Sequence, residues 1–391
     1  MTDLPLAGYR VLDFTRLLAG PGTAMYLADL GADVIKIEPP DGRVGAGATF
    51  ALLNRGKRSI ALDLRSAEGQ AVAHELVKTA DVAVVALEPG GPERLGIDYE
   101  RLSAINPRLV YARITGWGHK GPHTMKIGLD LMFQAYSGMM WSQPAQDGSP
   151  SGNAFYPADM SIPLYLPYAI TVALLQREKT GLGQKIETSQ LQAQMAARVI
   201  HLVFNEAGTM DNNPGIDGDP TWAWRRPPHT YCTSDGKWLV FVGVSMAQWR
   251  SFWELMELGE FPEGAALGTI WWPEPMLEQY YPRLAAKFLT RTREQWFAAL
   301  AEAGLGGVSG PVLSNTELFE EAQVWENGFA ITQQHPTMGT LRMPATPFSL
   351  STGPIAPTPS AEYGQHTDEV LLAAGYTRPQ IDAMRAAGTV A

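Results

Sequence analysis

Between Tyr9 and Ile114, short runs of β-branched and aromatic residues alternate with stretches of helical periodicity. Tyr9–Phe14 (YRVLDF), Asp33–Ile37 (DVIKI), Ser59–Leu64, Asp81–Leu87 (DVAVVAL) and Leu109–Ile114 (LVYARI) read as strands. Thr23–Leu30, a helix capped by Ser66 and running to about Thr79, and Tyr99–Ile105 read as helices, with the small-residue turn Arg16–Pro21 before the first. DVAVVAL and LVYARI are nearly continuous apolar runs, as expected of strands covered on both faces. Helical crossovers between such strands predict a parallel sheet with right-handed connections. Ligands of such sheets sit beyond the carboxyl ends of the strands.

After Leu131 the pattern changes. Asp159–Gln176 and Ser189–Glu206 read as long helices separated by the turn Thr180–Gln184, and Gly208–Pro228, rich in Gly, Pro, Asp and Asn, reads as a linker. Thr230–Thr233 and Trp238–Val244 form a predicted hairpin about Ser234-Asp235-Gly236. Helices carrying Trp249, Trp253, Trp296 and Phe297 follow as a second core, then short strands and turns from about Gly307. The chain closes with helices near His366–Ala374 and Arg378–Ala387.

At 391 residues, two or three domains of roughly 150 residues are expected. A net charge of −10 argues against a nucleic-acid partner. A single cysteine, Cys232, excludes an internal disulfide and a Cys-x-x-Cys metal site, and fits a reducing, cytoplasmic setting. The acidic start resembles no targeting peptide, and no uninterrupted apolar run reaches the ~18 residues of a spanning helix, so no membrane association is expected. The longest candidate, Ile162–Leu175, carries two prolines and reads as a buried helix.

The sequence has no Gly-x-Ser-x-Gly elbow, P-loop or His-Glu-x-x-His, and its histidines lack ligand spacing, so no metal is expected. Gly45-Ala46-Gly47 does not complete a dinucleotide fingerprint because Phe50 stands at its last position. Two carboxylates stand out. Asp130 and Asp159 each sit alone in an apolar stretch at a predicted helix start. The ordinary reading is a carboxylate stabilising exposed helix N–H groups. The sharper one is a desolvated covalent nucleophile.

These segments, with VLDFTRLLAGPGTAMYLADLGADVIKIEPP from Val11, LNRGKRSIALDL from Leu53, ERLGIDYERLSAINPRLVYARITGWGHKGP from Glu93, GLDLMFQAYSG from Gly128, REKTGLGQKIETS from Arg177 and GQHTDEVLLAAGY from Gly364, resemble the family III CoA-transferases nearly end to end. That group also includes α-methylacyl-CoA racemase. The resemblance implies a Rossmann-like large domain formed from both chain ends, a smaller inserted α+β domain, and two chains interlocked as threaded rings. The expected boundaries are 1–205 for the first part of the large domain, 206–228 for a linker, 229–306 for the small domain, and 307–391 for a linker and the return. The partners implied are an acyl-CoA and a small carboxylic acid, with coenzyme A as substrate and product.

By the same resemblance Asp159 is the nucleophile, forming an acyl anhydride and then an aspartyl-CoA thioester, and Asp130 is a second carboxylate that orients the site. Backbone N–H groups at a helix start would stabilise the oxyanions. CoA contacts carry over to the backbone at Leu17, Leu18 and Ala19, to Leu62 near the adenine, and to the cations Arg65, Arg94 and Lys126. Arg65 and Arg94 also read as ordinary solvated cations. Racemases carry a histidine where Leu129 stands, and leucine cannot accept a proton, which counts against racemisation. An acyl-CoA racemase or epimerase and a non-catalytic CoA-binding subunit of a heteromeric transferase are the alternatives. Val85-Ala86-Leu87 replaces a more polar run of many relatives. Leu18 stands where formyl-CoA transferases have glutamine, and their four-glycine flap is missing, so formate and oxalate are not expected as substrates. Leu18 and Leu129 predict an apolar acyl pocket, with Trp222 and Trp224 as further candidate lining.

Overall fold

The computed structural model describes residues 4–42, 47–142, 149–198, 202, 230–243, 245–262, 274–351 and 353–391. The expected linker, with Trp222 and Trp224 inside it, lies outside them. The chain divides into two units. One comprises 1–139, 152–202 and 326–391, and the other 140–151 and 203–325.

The first unit contains β1 (Arg10–Phe14), α1 (Ala19–Asp29), β2 (Asp33–Glu38), α2 (Gly47–Leu53), β3 (Arg58–Ala61), α3 (Ala67–Val77), β4 (Val82–Val85), α4 (Gly91–Arg94), α5 (Tyr99–Ile105) and β5 (Val110–Thr115). Next come α6 (Asp130–Tyr136), α8 (Pro157–Thr180), β6 (Lys185–Ser189) and α9 (Gln190–Ala197), while α7 (Met139–Ser142) begins at the last residue of the 1–139 stretch and belongs mostly to the second unit. The six strands pair in the order β3-β2-β1-β4-β5-β6, all parallel. Strand order reverses between β1 and β4, where a crevice opens beyond the carboxyl ends.

Two apolar layers flank this sheet. On one face Leu12, Ile35, Val85 and Tyr111 pack against α3, α5 and the closing helices. On the other, Val11, Val34, Val84 and Ala112 pack against α1 and α8. Alternate residues of one strand thus serve opposite layers, which is why the strands read as continuous apolar runs. α1 begins at Ala19, inside the stretch expected to be a turn, because Pro21 is tolerated in a helix's first turn. β6 was not expected. Its sequence KIETS alternates exposed and half-buried residues on the sheet edge, so no apolar run announces it.

By length and composition α8 could cross a membrane. Here its Ala158, Ile162, Leu166, Ile170 and Leu174 are instead buried in the second layer. Gly22 on α1 allows this close packing, since a Cβ there would lie 2.7 Å from Pro163 Cγ.

The second unit holds β7 (Thr230–Cys232), β8 (Trp238–Phe241), α10 (Met246–Leu255), α11 (Glu274–Phe288), α12 (Arg293–Glu302), β9 (Ser309–Val312), α13 (Asn315–Leu318) and α14 (Ala322–Glu326). Its antiparallel sheet covers a core containing Trp249, Phe252, Trp253, Phe288 and Trp296. The boundary expected after 306 falls inside this unit, because β9 pairs with β8 and the unit runs to Trp325.

The chain then returns as the hairpin β10 (Ala330–His335) and β11 (Gly339–Pro344), followed by α15 (Thr367–Ala373) and α16 (Arg378–Ala386). Val370, Leu371, Ile381, Met384 and Val390 complete the first apolar layer. Asp63 N donates to Thr389 O at 2.8 Å.

Candidate active site

Two adjoining hollows lie at the carboxyl ends of β1 and β4. The larger, about 540 Å³, is lined by Arg16–Gly20, Ala86–Gly90, Arg113–Gly116, Thr124–Leu129, Asp159, Lys185 and Gln190, among others. The smaller, about 280 Å³, includes Glu38, Asp41, Leu62, Asp63 and Arg65. Arg16 and Leu87 line both. The sequence candidates Leu17, Leu18, Ala19, Lys126 and Asp159 therefore share the larger hollow, while Leu62 and Arg65 share the smaller. Arg94, on α4, lines neither and is ion-paired to Glu88. Arg65 is held by Asp63 at 2.7 Å and Asp41 at 3.2 Å. Both guanidinium groups thus have carboxylate partners and are well exposed.

Asp159 sits in the first turn of α8, behind Tyr156, whose left-handed φ of 56° is costly for a non-glycine residue. Burial, and then the nearby charge of Asp130, pushes the Asp159 carboxyl up to about 6. The Gln190 side chain opposes this by donating to Asp159 Oδ1. Gln190 opens α9 directly after β6, so the unexpected edge strand places it there.

Asp130 lies behind the nucleophile candidate, 4% exposed. It stands in the first turn of α6, yet its carboxylate serves a different helix. Oδ2 accepts from Ala158 N at 2.8 Å and Asp159 N at 3.0 Å. Gln134 Nε2 donates to Oδ1 and, at 2.9 Å, to Asn153 O. The ordinary and sharper readings of the two carboxylates therefore divide: Asp130 binds helix N–H groups and Asp159 faces the hollow. The start of α8 has no first-turn amide left to serve as an oxyanion donor. Pro157 has no N–H, Ala158 and Asp159 donate to Asp130, and Met160 donates to Tyr156 O.

The opposite wall is the turn Thr15–Ala19, where Leu17 also has a left-handed φ, 63°, and is 68% exposed. A buried charge cluster holds this turn. Lys57 Nζ donates to Asp13 at 2.8 Å and to Pro21 O at 2.8 Å, and Lys36 Nζ to Thr15 O at 3.0 Å. Burial alone would raise the Asp13 carboxyl, but Lys36 and Lys57 bring it down to about 2. Burial pushes the Lys57 ammonium down to about 8 against the pull of Asp13. A Cβ on Gly20 would lie 2.3 Å from Thr15 Cβ, so only glycine lets the turn close on itself.

Arg16, Arg113, His119, Lys185 and Gln190 also line the larger hollow, and the sequence did not single them out as site candidates. None belongs to a spaced motif. Among the described residues no cluster of His, Cys, Asp and Glu could hold a metal ion.

The model of CoA-transferase family III matches residues 6–367. The chain is 31% identical to a formyl-CoA:oxalate CoA-transferase of Streptomyces coelicolor, over 95% of each sequence. It is 30% identical to a succinate–glutarate CoA-transferase of Agrobacterium fabrum, over 95% of this chain and 97% of that one. A solved CAIB/BAIF family protein from Brucella suis superposes with a TM-score of 0.79 at 29% identity, covering 95% of this chain and all of that one. The parallel sheet, the crevice at its reversal and the match along nearly the whole chain agree: this protein belongs to CoA-transferase family III.

Proposed function

We propose that this enzyme moves CoA from an acyl-CoA to a free carboxylic acid through covalent intermediates on Asp159, working as a cytoplasmic homodimer. The observation that carries the reading is Asp159 itself: a carboxylate desolvated enough to titrate near 6, lining a hollow, with its first-turn amides already bonded to Asp130. It is ionised at neutral pH and poorly solvated, which suits a nucleophile.

In the proposed sequence a carboxylate oxygen of Asp159 attacks the thioester carbonyl carbon and the CoA thiolate leaves. The thiolate then attacks the Asp159 carbonyl of the mixed anhydride, releasing the first acid and forming an aspartyl-CoA thioester. The acceptor carboxylate attacks that thioester, and the freed thiolate takes the new acyl group, restoring Asp159. No proton is gained or lost and the thioester bond is conserved.

Oxyanion stabilisation is assigned to the amides at the start of α1, since those of α8 are engaged. Leu17, Met125, Ile127 and Leu129 line the hollow and favour an acyl chain with hydrocarbon character. Leu62 and Arg65 in the smaller hollow take the nucleotide end, with Arg94 and Lys126 as outer cations.

Intact-protein mass spectrometry after incubation with short acyl-CoAs, with hydroxylamine trapping, tests the reading. An adduct mapping to Asp159 and absent from Asp159→Ala is expected. CoA binding without an adduct, together with α-proton exchange into solvent, would replace transfer with racemisation.

A further inference from the structure

Arg113 occupies an unusual place. It lies near the end of β5 and is 8% exposed, yet lines the larger hollow. One terminal nitrogen, Nη2, donates to Leu87 O at 2.9 Å. The other, Nη1, is buried and has no hydrogen-bond partner among the described residues. Glu88, Glu93 and Glu187 are close enough to act on its charge, but none forms an ion pair with it. A buried cationic donor left unpaired is costly, and such groups in native proteins call for an acceptor.

The anchor point shows where that acceptor lies. Leu87 lines both hollows. A ligand with its nucleotide in the smaller hollow and its thioester at Asp159 must cross this junction. Val85, Ala86 and Leu87 bring no polar side chain to it. Arg113 and Tyr111 lie on the sheet face opposite α8, because alternate β5 residues serve opposite faces. Arg113 is thus set apart from the reacting carboxylate, on the path leading to it. The other arginines assigned along this path, Arg65 and Arg94, have carboxylates as partners.

We propose that Arg113 Nη1 donates to an oxygen of the phosphopantetheine arm of the acyl-CoA substrate, making Arg113 a binding residue for the middle of the ligand. This rests on the CoA-transferase reading above.

Calorimetry on the full-length protein tests it with CoA and with 4′-phosphopantetheine. Arg113→Met should weaken both ligands by a similar factor, about 10- to 100-fold, and Arg113→Lys by less. Unchanged affinity in Arg113→Met, or weakening for CoA but not for 4′-phosphopantetheine, would overturn the proposal. Should the variants not fold, a crystal structure of the wild-type protein with CoA decides. Nη1 within about 3.2 Å of a phosphopantetheine oxygen is expected, and a separation beyond hydrogen-bond reach would overturn it. A wild-type protein that binds no CoA would instead remove the transferase reading.

Discussion

At the scale of single residues, the raised pKa of Asp159 has consequences for both stability and rate. Its carboxyl goes from an ordinary 3.8 to about 6 on folding. Well below pH 3.8 it is neutral in both states and costs nothing. Between about 4 and 6 the unfolded chain ionises first, so stability falls, and above 6 the cost is constant. Asp159→Asn should therefore stabilise the protein at pH 7.5 by about 1–2 kcal/mol, allowing for residual solvent, and by almost nothing near pH 3. Thermal unfolding at both pH values checks this, and an equal gain at both would contradict it. Gln190 stabilises the ionised form. Gln190→Leu should then move the acid limb of the kcat/KM profile to higher pH. An unmoved limb would remove Gln190 from positioning the proposed nucleophile. Asp159 stood out in the sequence as a lone carboxylate in an apolar segment, and its proposed role came from the family resemblance rather than from that pattern. Gln190 and Arg113 did not stand out, because their places at the hollow come from strand order rather than from neighbours in sequence.

At the scale of elements, α8 depends on a carboxylate it does not contain. Two of its first-turn amides, one buried and one half-buried, have Asp130 Oδ2 as acceptor. Asp130→Ala leaves both unsatisfied and should cost about 2–4 kcal/mol, read as a lowered midpoint in chemical denaturation. Asp130→Asn retains an acceptor and should recover part of the loss. Equal loss in both variants would mean that the charge, not the hydrogen bonding, holds the helix. The central strands β2, β1, β4 and β5 were legible because both their faces are covered, which writes them as apolar runs, and the edge strand β3 was legible because Ser59, Ile60 and Ala61 are buried. β6 was illegible for the opposite reason: an edge strand held by backbone bonds needs no apolar side chains. The turn before it still leaves a mark. A Cβ on Gly183 would meet Leu109 O at 2.1 Å, so the glycine marks a close backbone approach. The second unit was placed by its tryptophans, but its end was set too early, because β9 carries only the short run SGPV.

At the scale of the whole molecule, α8 poses a question that one chain leaves open. Its inner face is buried against the sheet, while Leu164, Tyr165, Tyr168, Val172 and Leu175 are exposed along the outer face. Leu17, Met125, Ile127 and Leu129 are exposed around the larger hollow as well. Contiguous apolar surface of this kind on a single chain marks an interaction site. A second copy is the proposed occupant, and threaded rings make a distinctive kinetic prediction. An ordinary dimer exchanges subunits through its free monomer, at a rate set by interface dissociation. Two interlocked chains can part only if one opens its own fold, so exchange is limited by unfolding. Tagged and untagged protein, mixed at low concentration for days, should form no mixed dimers by native mass spectrometry. The same mixture should form them after denaturation and refolding. Tyr168→Glu, which places a charge in the exposed stripe, should lower the yield of assembled protein. Mixed dimers appearing under native conditions would leave the apolar stripe as an ordinary interface and exclude the threaded arrangement.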